Sequence, residues 1–403
     1  MIPFSPPRTH PEVIEEIKQT LESGWITTGP KTKLFEKRIT EYTGCKITNA
    51  LNSATAGMEM VLRWYGIKEG DEVIIPAYTY CATANVVVHL GAKPVMVDVS
   101  QDDFNITVEN IKNAITTNTK AIVPVDISGF PCNYKEINEL VKSDDIKTKF
   151  SSNSNNQAKL GRILVMSDAA HSFGAYYNGK RTGSLTDVSV FSFHAVKNLT
   201  TAEGGCICWN LPQQFDHEKV YKQINTSSLH GQSKDALAKT KKGAWRYDVT
   251  EAGFKCNMTD IHACIGLVEL EKYQENLDKR KEIFLAYNEA FSKESWAILP
   301  HSESENKKSS FHLYLLRFKD ISEDQRNAII QEIFEQDVSV NVHFIPLPLL
   351  TVYKNKGYKA EDYPNALDNF SREITLPVYY DLSMENVNTV INAVKNAYNK
   401  VVN

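Results

Sequence analysis

Short apolar runs alternate with helix-like segments in the first third of this chain, and this alternation restricts the possible folds more than any other feature. The runs at residues 72–75, 94–99 and 121–127 have the length of buried strands, and apolar positions recur at helical spacing in residues 79–90 and 108–115. Such a pattern is typical of a parallel sheet wrapped by helices. With 403 residues, the chain is long enough for a large domain of this kind and a smaller one.

We therefore expect an α/β protein with two domains. Residues 1–248 are predicted to form a large domain around a mostly parallel sheet, and residues 249–403 a smaller α+β domain. Within the smaller domain, apolar periodicity predicts helices at 260–277, 322–336 and 384–401 and strands at 312–318 and 338–343.

Two polar segments interrupt the pattern. Residues 145–161, with Ser151-Ser-Asn-Ser-Asn-Asn156, have no means to bury a core, and we interpret them as an exposed loop or mobile insertion on the far side of the sheet from any site. Residues 227–249 are polar and basic and are interpreted as a loop that leads to the domain change; their lysines include Lys234, Lys239, Lys241 and Lys242.

Two chemically active side chains follow candidate strands. The apolar run at 162–167 predicts a buried strand that ends at Asp168, and the run at 188–193 predicts a second strand that delivers Lys197 at its exit. In open α/β sheets, ligands bind at the carboxyl ends of strands. We therefore expect the Asp168 carboxylate and the Lys197 amine to face one pocket.

This pair matches the requirements of pyridoxal 5'-phosphate (PLP). PLP chemistry needs a lysine amine that bonds to the cofactor aldehyde, and a carboxylate that keeps the pyridine nitrogen protonated so that the ring can accept electrons. Lys197 is the candidate catalytic residue and Asp168 the candidate partner of the ring nitrogen. No other acidic residue follows Asp168 until Asp187.

A run of small residues begins another predicted helix. Ser53-Ala54-Thr55-Ala56-Gly57 precedes apolar positions at helical spacing that continue to Tyr65. Small residues at a helix start leave backbone amides accessible, and the helix dipole favours an anion there. The same segment also fits an ordinary helix capped by Ser or Thr, so the residues alone leave both interpretations open.

Several motifs of the chain occur together in one known family. The most specific are Asp168-Ala-Ala-His171 and the run Ser192-Phe-His-Ala-Val-Lys-Asn-Leu-Thr-Thr-Ala-Glu-Gly-Gly205. The chain thereby resembles the DegT/DnrJ/EryC1/StrS sugar aminotransferases, and the resemblance extends over nearly its whole length. Six further motifs match in order: Ser23-Gly-Trp-Ile-Thr-Thr-Gly-Pro30, Asn52-Ser-Ala-Thr-Ala-Gly57, Gly70-Asp-Glu-Val-Ile-Ile-Pro76, Gly253-Phe-Lys-Cys-Asn-Met-Thr-Asp260, Val342-His-Phe344 and Leu376-Pro377.

The resemblance implies the aspartate-aminotransferase-like architecture of fold type I PLP enzymes and a homodimer with shared active sites. It implies PLP as cofactor and transfer of an amino group from L-glutamate to a nucleotide-linked keto-sugar, with release of 2-oxoglutarate. Such reactions serve deoxysugar biosynthesis for surface polysaccharides, including the O-antigen of lipopolysaccharide.

It also implies roles for individual cofactor-binding residues. Ser53, Ala54, Thr55 and Ser192 would hold the phosphate, and His171 would lie against the ring or its oxygen. Tyr80 would stack on the ring face. The segment with Lys255 and Asn257 would reach across the dimer interface to the partner's cofactor phosphate, although many relatives have Asn and Arg at these two positions.

Substrate-binding candidates come from two regions. Thr28 and Gly29 belong to the first matching motif, and Lys31 is a nearby cation, although a solvated surface is the alternative role for a lysine there. His343 matches a family position near the substrate. His312, a lone histidine in a predicted strand, is interpreted as a packing residue. Relatives often have a histidine in place of Pro348 and of Asp126.

Two motifs indicate which carbon of the keto-sugar accepts the amino group. Asp168-Ala-Ala-His171 and Ser53-Ala-Thr-Ala-Gly-Met58 look most like members that aminate carbon 4, such as the UDP-4-amino-4-deoxy-L-arabinose and dTDP-4-amino-4,6-dideoxyglucose enzymes. A nucleotide-linked 4-keto-6-deoxyhexose is therefore the first expectation, with a carbon 3 ketone as the alternative. The residues do not indicate the base of the nucleotide.

Composition excludes several other classes. A net charge of −4 provides no basic field for nucleic acid. Seven scattered cysteines give neither a disulfide framework nor a matching second set of metal ligands. No signal peptide is recognisable and no apolar run reaches the roughly 18 residues of a membrane helix. We expect a cytoplasmic enzyme without metal, membrane or nucleic-acid partners.

Three alternative functions compete with a sugar aminotransferase. Some family members have His in place of the lysine and dehydrate sugars, and Lys197 argues against that reaction. A non-catalytic regulator on the same fold would lack the cofactor absorbance. A nicotinamide dehydrogenase is disfavoured because no Gly-x-Gly-x-x-Gly follows an early strand.

Overall fold

The computed structural model describes residues 1–233 and 246–402. Lys234, Lys239, Lys241 and Lys242 of the predicted basic loop lie outside the described residues. The strands are β1 (Ile47–Leu51), β2 (Glu72–Pro76), β3 (Lys93–Val97), β4 (Thr119–Ile122), β5 (Leu164–Asp168), β6 (Tyr176–Tyr177), β7 (Lys180–Arg181), β8 (Val188–Ser192), β9 (Gly205–Trp209), β10 (Ala297–Ile298), β11 (Lys307–Lys308), β12 (Tyr314–Phe318) and β13 (Glu373–Leu376).

Helices cover most of the remaining described chain. The α-helices are α1 (Glu12–Glu22), α2 (Pro30–Thr43), α3 (Ala54–Tyr65), α4 (Cys81–His89), α5 (Val108–Ala114), α6 (Tyr134–Lys142), α7 (Asp144–Lys147), α8 (Asn155–Leu160), α9 (His217–Ser227), α10 (Asp260–Glu271), α11 (Tyr273–Phe291), α12 (Glu323–Phe334), α13 (Thr351–Lys354), α14 (Pro364–Arg372) and α15 (Met384–Val402). Short 3₁₀ turns occupy Ile127–Gly129, Leu347–Leu349 and Ala360–Asp362. In the described ranges no helix is long and apolar enough to cross a membrane.

The large sheet is mostly parallel, as the alternating pattern predicts. Its seven strands have the order β1-β9-β8-β5-β4-β2-β3. Neighbours from β8 to β3 are parallel, whereas β9 is antiparallel to both β8 and β1. The carboxyl ends of β5 and β8 therefore lie side by side, which brings together the two segments that carry Asp168 and Lys197.

Both faces of the large sheet are buried, which explains the continuous apolar runs of its strands. Ile75 and Met166 pack in the core that α3 and α4 cover, and their neighbours Ile74 and Val165 pack in the core that α5 and α6 cover. Since successive side chains of a strand point to opposite faces, this alternation requires helices on both sides.

The C-terminal part has a core of its own. Strands β10, β12 and β13 form an antiparallel sheet, and a separate apolar cluster that starts at Ile283 joins α11, α12 and α15 to it. Helix α10 instead packs against α1 and α2, with Val13 against Cys264 and Val268. The domain boundary at 248/249 stays a prediction.

Three local predictions are wrong. The helix predicted at 260–277 is divided into α10 and α11 at Lys272. Residues 338–343 form no regular strand, and make only isolated bridges from Val338 to Ile2 and from Asn341 to Thr375. Residues 145–161 are not an unstructured loop, since they contain α8 and part of α7.

Polar side chains give the 145–161 segment its order. Ser154 accepts a hydrogen bond from the Gln157 amide at the start of α8 and donates one to the Tyr65 carbonyl at 2.7 Å. Asn156 Nδ2 donates to the Trp64 carbonyl at 2.7 Å. The segment thereby satisfies carbonyls that end α3, which have no partner within the helix itself.

Candidate active site

A cavity of about 610 Å³ opens at the carboxyl ends of β5 and β8. This is the position at which open α/β sheets bind their ligands. The structure brings Asp168 and Lys197 together in this cavity. Its lining residues that the sequence also predicted as site residues are Ser53, Ala54, Thr55, Tyr80, Asp168, His171, Ser192, Lys197 and His343.

Asp168 is the last residue of β5, and two hydrogen bonds fix its buried carboxylate. Thr83 Oγ1 on α4 donates to Oδ2 at 2.8 Å, and the Ala170 amide donates to Oδ1 at 3.2 Å. Burial raises the pKa of Asp168, while these hydrogen bonds and the charge of Lys197 oppose the shift. An ionised Asp168 is therefore favoured when a positive group lies opposite it in the cavity.

Lys197 lies in the loop between β8 and β9. Its amide donates to the His194 carbonyl at 2.9 Å, which makes a turn directly after the strand. Burial lowers the pKa of the Lys197 amine to about 8, although Asp168 opposes this shift. About a tenth of the amine is thus unprotonated at pH 7, far more than for an ordinary lysine, and the unprotonated amine is the form that acts as a nucleophile or a base.

The start of α3 forms another wall of the cavity. Ser53 is the N-cap, and its Oγ accepts a hydrogen bond from the Ala56 amide at 3.1 Å. Gly205 lies beside this turn, and a Cβ at Gly205 would be 2.3 Å from the Ala54 amide nitrogen. Ser192 pairs with Gly205 across β8 and β9. The helix start, with its free amides and positive dipole end, therefore faces the cavity together with the Ser192 side chain.

Aromatic rings and histidines also line the cavity. Phe344, which the sequence analysis did not single out, stacks on His171 with ring centroids 5.7 Å apart, and its ring lies 6.0 Å from that of Tyr80. His171 Nδ1 is buried without a hydrogen-bond partner among the described residues. Tyr80 is 60% exposed, so its ring remains open to a ligand.

Three of the four histidines that line the cavity, His171, His312 and His343, are held neutral. Burial, as the main cause, and the positive charge of Lys197 lower the pKa of His171 and His312 far below the usual value and that of His343 to about 4. His343 Nδ1 lies 3.0 Å from Thr375 Oγ1. Around Lys197, these rings act as neutral hydrogen-bonding groups rather than as cations.

His312 lines the cavity, which its interpretation as a packing residue missed. Its ring centroid lies 4.5 Å from that of His171. The periodicity of one strand could not reveal that His312 faces the cavity, because its place depends on how the C-terminal part packs onto the large sheet.

Five predicted site residues do not line this cavity: Thr28, Gly29, Lys31, Lys255 and Asn257. They form one cluster at the start of α2. Asn257 Nδ2 donates to Thr28 Oγ1 at 2.6 Å, and Lys255 Nζ contacts Asn257 Oδ1. The amides of Gly29 and Lys31 donate to the carboxylate of Asp260 at 2.8 and 3.0 Å, and Lys31 Nζ pairs with Glu16.

Asp126, where relatives often have histidine, is a buried structural residue. Its carboxylate accepts hydrogen bonds from Tyr134 Oη and Ser172 Oγ, both at 2.6 Å, and from the Cys132 amide at 2.9 Å. Burial raises the pKa of Asp126 to about 6. Its side chain supports the turn below the cavity and is not part of the lining.

The donor set of the cavity fits PLP. An amine, a buried carboxylate and a helix start surround one space, and His171 Nδ1 is a buried polar atom to which nothing in the described part of the chain bonds. The close approach of Gly205 to α3 shapes the wall where a phosphate would bind. As for metals, the described part of the chain has no group of three or more His, Cys, Asp or Glu side chains that could hold an ion.

A sequence profile of the DegT/DnrJ/EryC1/StrS aminotransferase family matches residues 7–150 and 152–395. The match spans both the large-sheet region and the C-terminal part, so it covers every residue that lines the cavity except Phe4 and Ser5.

Individual relatives match over their full length. The chain is 42% identical over 387 residues to the uncharacterized protein MJ1066 of Methanocaldococcus jannaschii, covering 95% of this chain and 94% of that protein. It is 34% identical over 401 residues to the spore coat polysaccharide biosynthesis protein SpsC of Bacillus subtilis, covering 98% and 96%. Spr1654 of Streptococcus pneumoniae, assigned as a sugar aminotransferase, has been solved in a PMP form that is 45% identical, with a TM-score of 0.96 and 100% coverage of both chains. Its PLP form gives 44% identity, a TM-score of 0.95 and the same coverage.

Proposed function

Since the chain belongs to the DegT/DnrJ/EryC1/StrS aminotransferase family and is a PLP-dependent sugar aminotransferase, we propose that it transfers the amino group of L-glutamate to the C4 ketone of a nucleotide-linked 4-keto-6-deoxyhexose. The product would enter the biosynthesis of a surface polysaccharide or glycan. The observation that carries the proposal is the convergence of Asp168, Lys197 and the start of α3 on one cavity. The choice of carbon 4 is supported by the sequences that begin at Asp168 and at Ser53, which resemble those of family members that aminate carbon 4.

Bound PLP supplies an aldehyde that takes up and returns the amino group and a ring that accepts electron density. Lys197 holds the cofactor and, once displaced by the amino donor, moves a proton at Nζ, because burial lowers the pKa of its amine to about 8. The Asp168 carboxylate keeps positive charge at the ring nitrogen. Ser53, Ala54, Thr55 and Ser192 bind the phosphate, and Tyr80 and His171 orient the ring.

We also propose a homodimer in which each cavity is completed by the partner. The cluster of Thr28, Gly29, Lys31, Lys255 and Asn257 supports this, because these residues lie together yet outside the cavity of their own chain. In the dimer, the cluster of each subunit would supply polar and cationic groups to the partner's cavity, where they would contact the cofactor phosphate and the nucleotide-linked sugar.

The direct test is transfer of labelled nitrogen. The purified enzyme is incubated with ¹⁵N-L-glutamate and a panel of UDP-, dTDP- and GDP-linked 4-keto and 3-keto sugars. Products are identified by mass and by NMR, which shows the sugar carbon that carries the ¹⁵N. We expect ¹⁵N at carbon 4 and 2-oxoglutarate in equal amount. If ¹⁵N appeared at carbon 3, the acceptor would be a 3-keto sugar and the proposal of carbon 4 would be wrong. If other labelled amino acids gave product but glutamate did not, the proposed donor would be wrong.

The Lys197→Ala variant serves as the matched control. It should lose both transfer and the visible absorbance of lysine-bound PLP. A variant that retains both would show that Lys197 is not the catalytic amine, and a wild-type protein that binds no PLP would favour a non-catalytic regulator.

A further inference from the structure

His312 has a hydrogen bond that determines which of its nitrogens carries the proton. Its Nδ1 lies 2.7 Å from Asn198 Oδ1, and Asn198 Nδ2 donates to the Ser310 carbonyl at 2.7 Å. The second bond sets the orientation of the amide, so that its oxygen faces His312. Because an amide oxygen only accepts hydrogen bonds, Nδ1 must be the protonated nitrogen. His312 Nε2 therefore has a free lone pair.

The ring keeps this lone pair at neutral pH. Burial is the main cause that lowers the pKa of His312 far below its usual value. Neighbouring groups act in the same direction: His171, Lys197, Arg280 and His343. His312 is 6% exposed and lines the cavity that also holds Lys197. No described side chain or backbone group donates to its Nε2.

Asn198 ties His312 to the segment of the catalytic lysine. Asn198 follows Lys197 directly, and Asn276 Nδ2 donates to the Asn198 carbonyl at 2.7 Å. Arg280 Nη1 donates to the His312 carbonyl at 3.3 Å. Asn198 thus joins the loop after β8 to the segment that leads into β12, and this fixes the His312 ring relative to the residue next to Lys197.

The amine of Lys197 needs an acceptor when it is not bonded to the cofactor. Asp168, whose charge is the one that acts on Lys197, already accepts from Thr83 and Ala170 and is the partner of the ring nitrogen. We propose that His312 is a positioning residue for Lys197: its Nε2 accepts a hydrogen bond from the released amine and holds it in place between proton transfers. The inference rests on the proposed function, in which Lys197 is displaced and then acts as the base.

Two substitutions separate this role from packing. In His312→Asn, the new Nδ2 can replace Nδ1 and keep the bond to Asn198, but the Nε2 acceptor is lost. In His312→Gln, the side-chain oxygen can reach the place of Nε2. Loss of one such hydrogen bond corresponds to about a tenfold lower rate.

The two half-reactions, with glutamate and with the keto-sugar, are measured separately by stopped-flow absorbance of the holoenzyme. Since Lys197 acts in both, we expect His312→Asn to slow both by a similar factor while each KM changes less than about twofold, and His312→Gln to regain part of the rate. Slowing of the sugar half-reaction alone would make His312 a substrate contact instead, and unchanged rates in both would overturn the inference.

Wild-type enzyme offers a readout that does not depend on activity or on folding of a variant. ¹⁵N NMR of histidine-labelled holoenzyme should show His312 as the neutral Nδ1-protonated tautomer between pH 6 and 9. A cationic His312, or the opposite tautomer, would overturn the inference. If wild-type enzyme transfers no nitrogen to any keto-sugar, the proposed function fails by itself, and the NMR result still decides whether Nε2 is an acceptor.

Discussion

Burial and hydrogen bonding act on the Asp168 carboxylate in opposite directions. Burial raises its pKa, and the Thr83 hydroxyl and the Ala170 amide lower it again. Thr83 is itself oriented by Thr79, whose hydroxyl lies 3.0 Å away. The carboxylate is therefore ready to ionise when a pyridinium nitrogen approaches, and it lies where no water is needed to solvate it.

Asp168→Asn tests this electrostatic role. The amide keeps the size of the side chain but cannot balance a protonated ring nitrogen, so we expect the transamination rate to fall by about 10²–10³-fold. Thr83→Val removes only one hydrogen bond to the carboxylate and should cost about tenfold. Both rates are measured at saturating PLP, and equal losses in the two variants would show that the charge of Asp168 is not the important property.

Glu373 makes stability depend on pH. Its buried carboxylate accepts hydrogen bonds from Thr375 Oγ1 and from the His343 amide, and burial raises its pKa from 4.5 to about 8. Between these two values the folded protein keeps a proton that the unfolded chain releases. The free energy of unfolding should therefore fall as pH rises through this window, by at most about 1.4 kcal/mol per pH unit from this group.

Glu373→Gln, which has no such proton, should show a smaller decrease in the free energy of unfolding between pH 6 and 8. Urea denaturation of the wild-type and variant holoenzymes at several pH values measures both slopes. Identical slopes would mean that Glu373 is ionised in the folded protein.

Sequence reasoning at single residues succeeds where chemistry and position along a strand coincide. Asp168 and Lys197 each follow an apolar run, and the rule that ligands bind at strand ends suffices to bring them together. His312 could not be found in this way, because nothing in its local pattern differs from that of a packing residue, and Phe344, although it belongs to a matching motif, carries no polar group that would indicate a role. Their position depends on the C-terminal part that lies over the cavity.

At the scale of elements, the contact between β9 and α3 shapes the phosphate wall. Gly205 begins β9 in a fully buried position, and its missing side chain lets the strand touch the backbone of Ser53 and Ala54. A Cβ there would lie 2.3 Å from Ala54 N and 2.5 Å from the Ser53 carbonyl carbon. The start of α3 can therefore occupy its place only if residue 205 is glycine.

Gly205→Ala should move the first turn of α3 and weaken PLP binding roughly 10- to 100-fold, since the phosphate would lose one or two charge-assisted hydrogen bonds. Cys206→Ala, the next position of the same strand, is the control and should bind PLP like the wild-type protein. PLP titration of the apoenzymes by fluorescence or absorbance measures both. An alanine at 205 that leaves PLP affinity unchanged would contradict the contact as described.

The polar segment at 145–161 shows why an element can escape sequence reasoning. Its composition has too few apolar residues for a core of its own, although Ile146 and Leu160 are buried in the cores on the two sides of the large sheet. In addition, Ser154 and Asn156 donate to the last carbonyls of α3, so part of the order of the segment comes from hydrogen bonds to a partner far away in sequence. Such partners leave no periodic signal. The apolar runs of the central strands, in contrast, predict β2, β5 and β8 to within two residues, although β1 is not predicted and the run at 121–127 extends past the end of β4.

At the scale of the whole molecule, one chain does not unite all the residues that the resemblance assigns to the active site. The cavity contains the groups for the ring and for covalent attachment, and the cluster around Thr28 and Asn257 lies elsewhere on the same chain. Two exposed apolar residues are close to that cluster along the chain, Ile26, which is 52% exposed, and Phe254, which is 40% exposed. A second copy that covers this surface would bury both side chains and would bring the cluster to the partner's cavity.

The dimer proposal predicts complementation between two inactive variants. Lys197→Ala removes the catalytic amine, and Asn257→Ala changes the cluster that would serve the partner's cavity. In a mixed dimer with shared sites, one cavity has both defects and the other has none. Co-expression of the two variants with different affinity tags should therefore yield about a quarter of wild-type activity in a statistical mixture of dimers.

The purified heterodimer decides the question most directly. If Asn257 instead served the cavity of its own chain, every site in the heterodimer would carry one defect, and activity would stay at the level of the separate variants. A heterodimer of Lys197→Ala with wild-type protein is the reference, because it contains one intact cavity under either arrangement. When the Asn257→Ala homodimer is inactive, the heterodimer of the two variants can equal the heterodimer of Lys197→Ala with wild-type protein only if sites are shared. Only then does each heterodimer retain one cavity with both a lysine and an intact partner cluster.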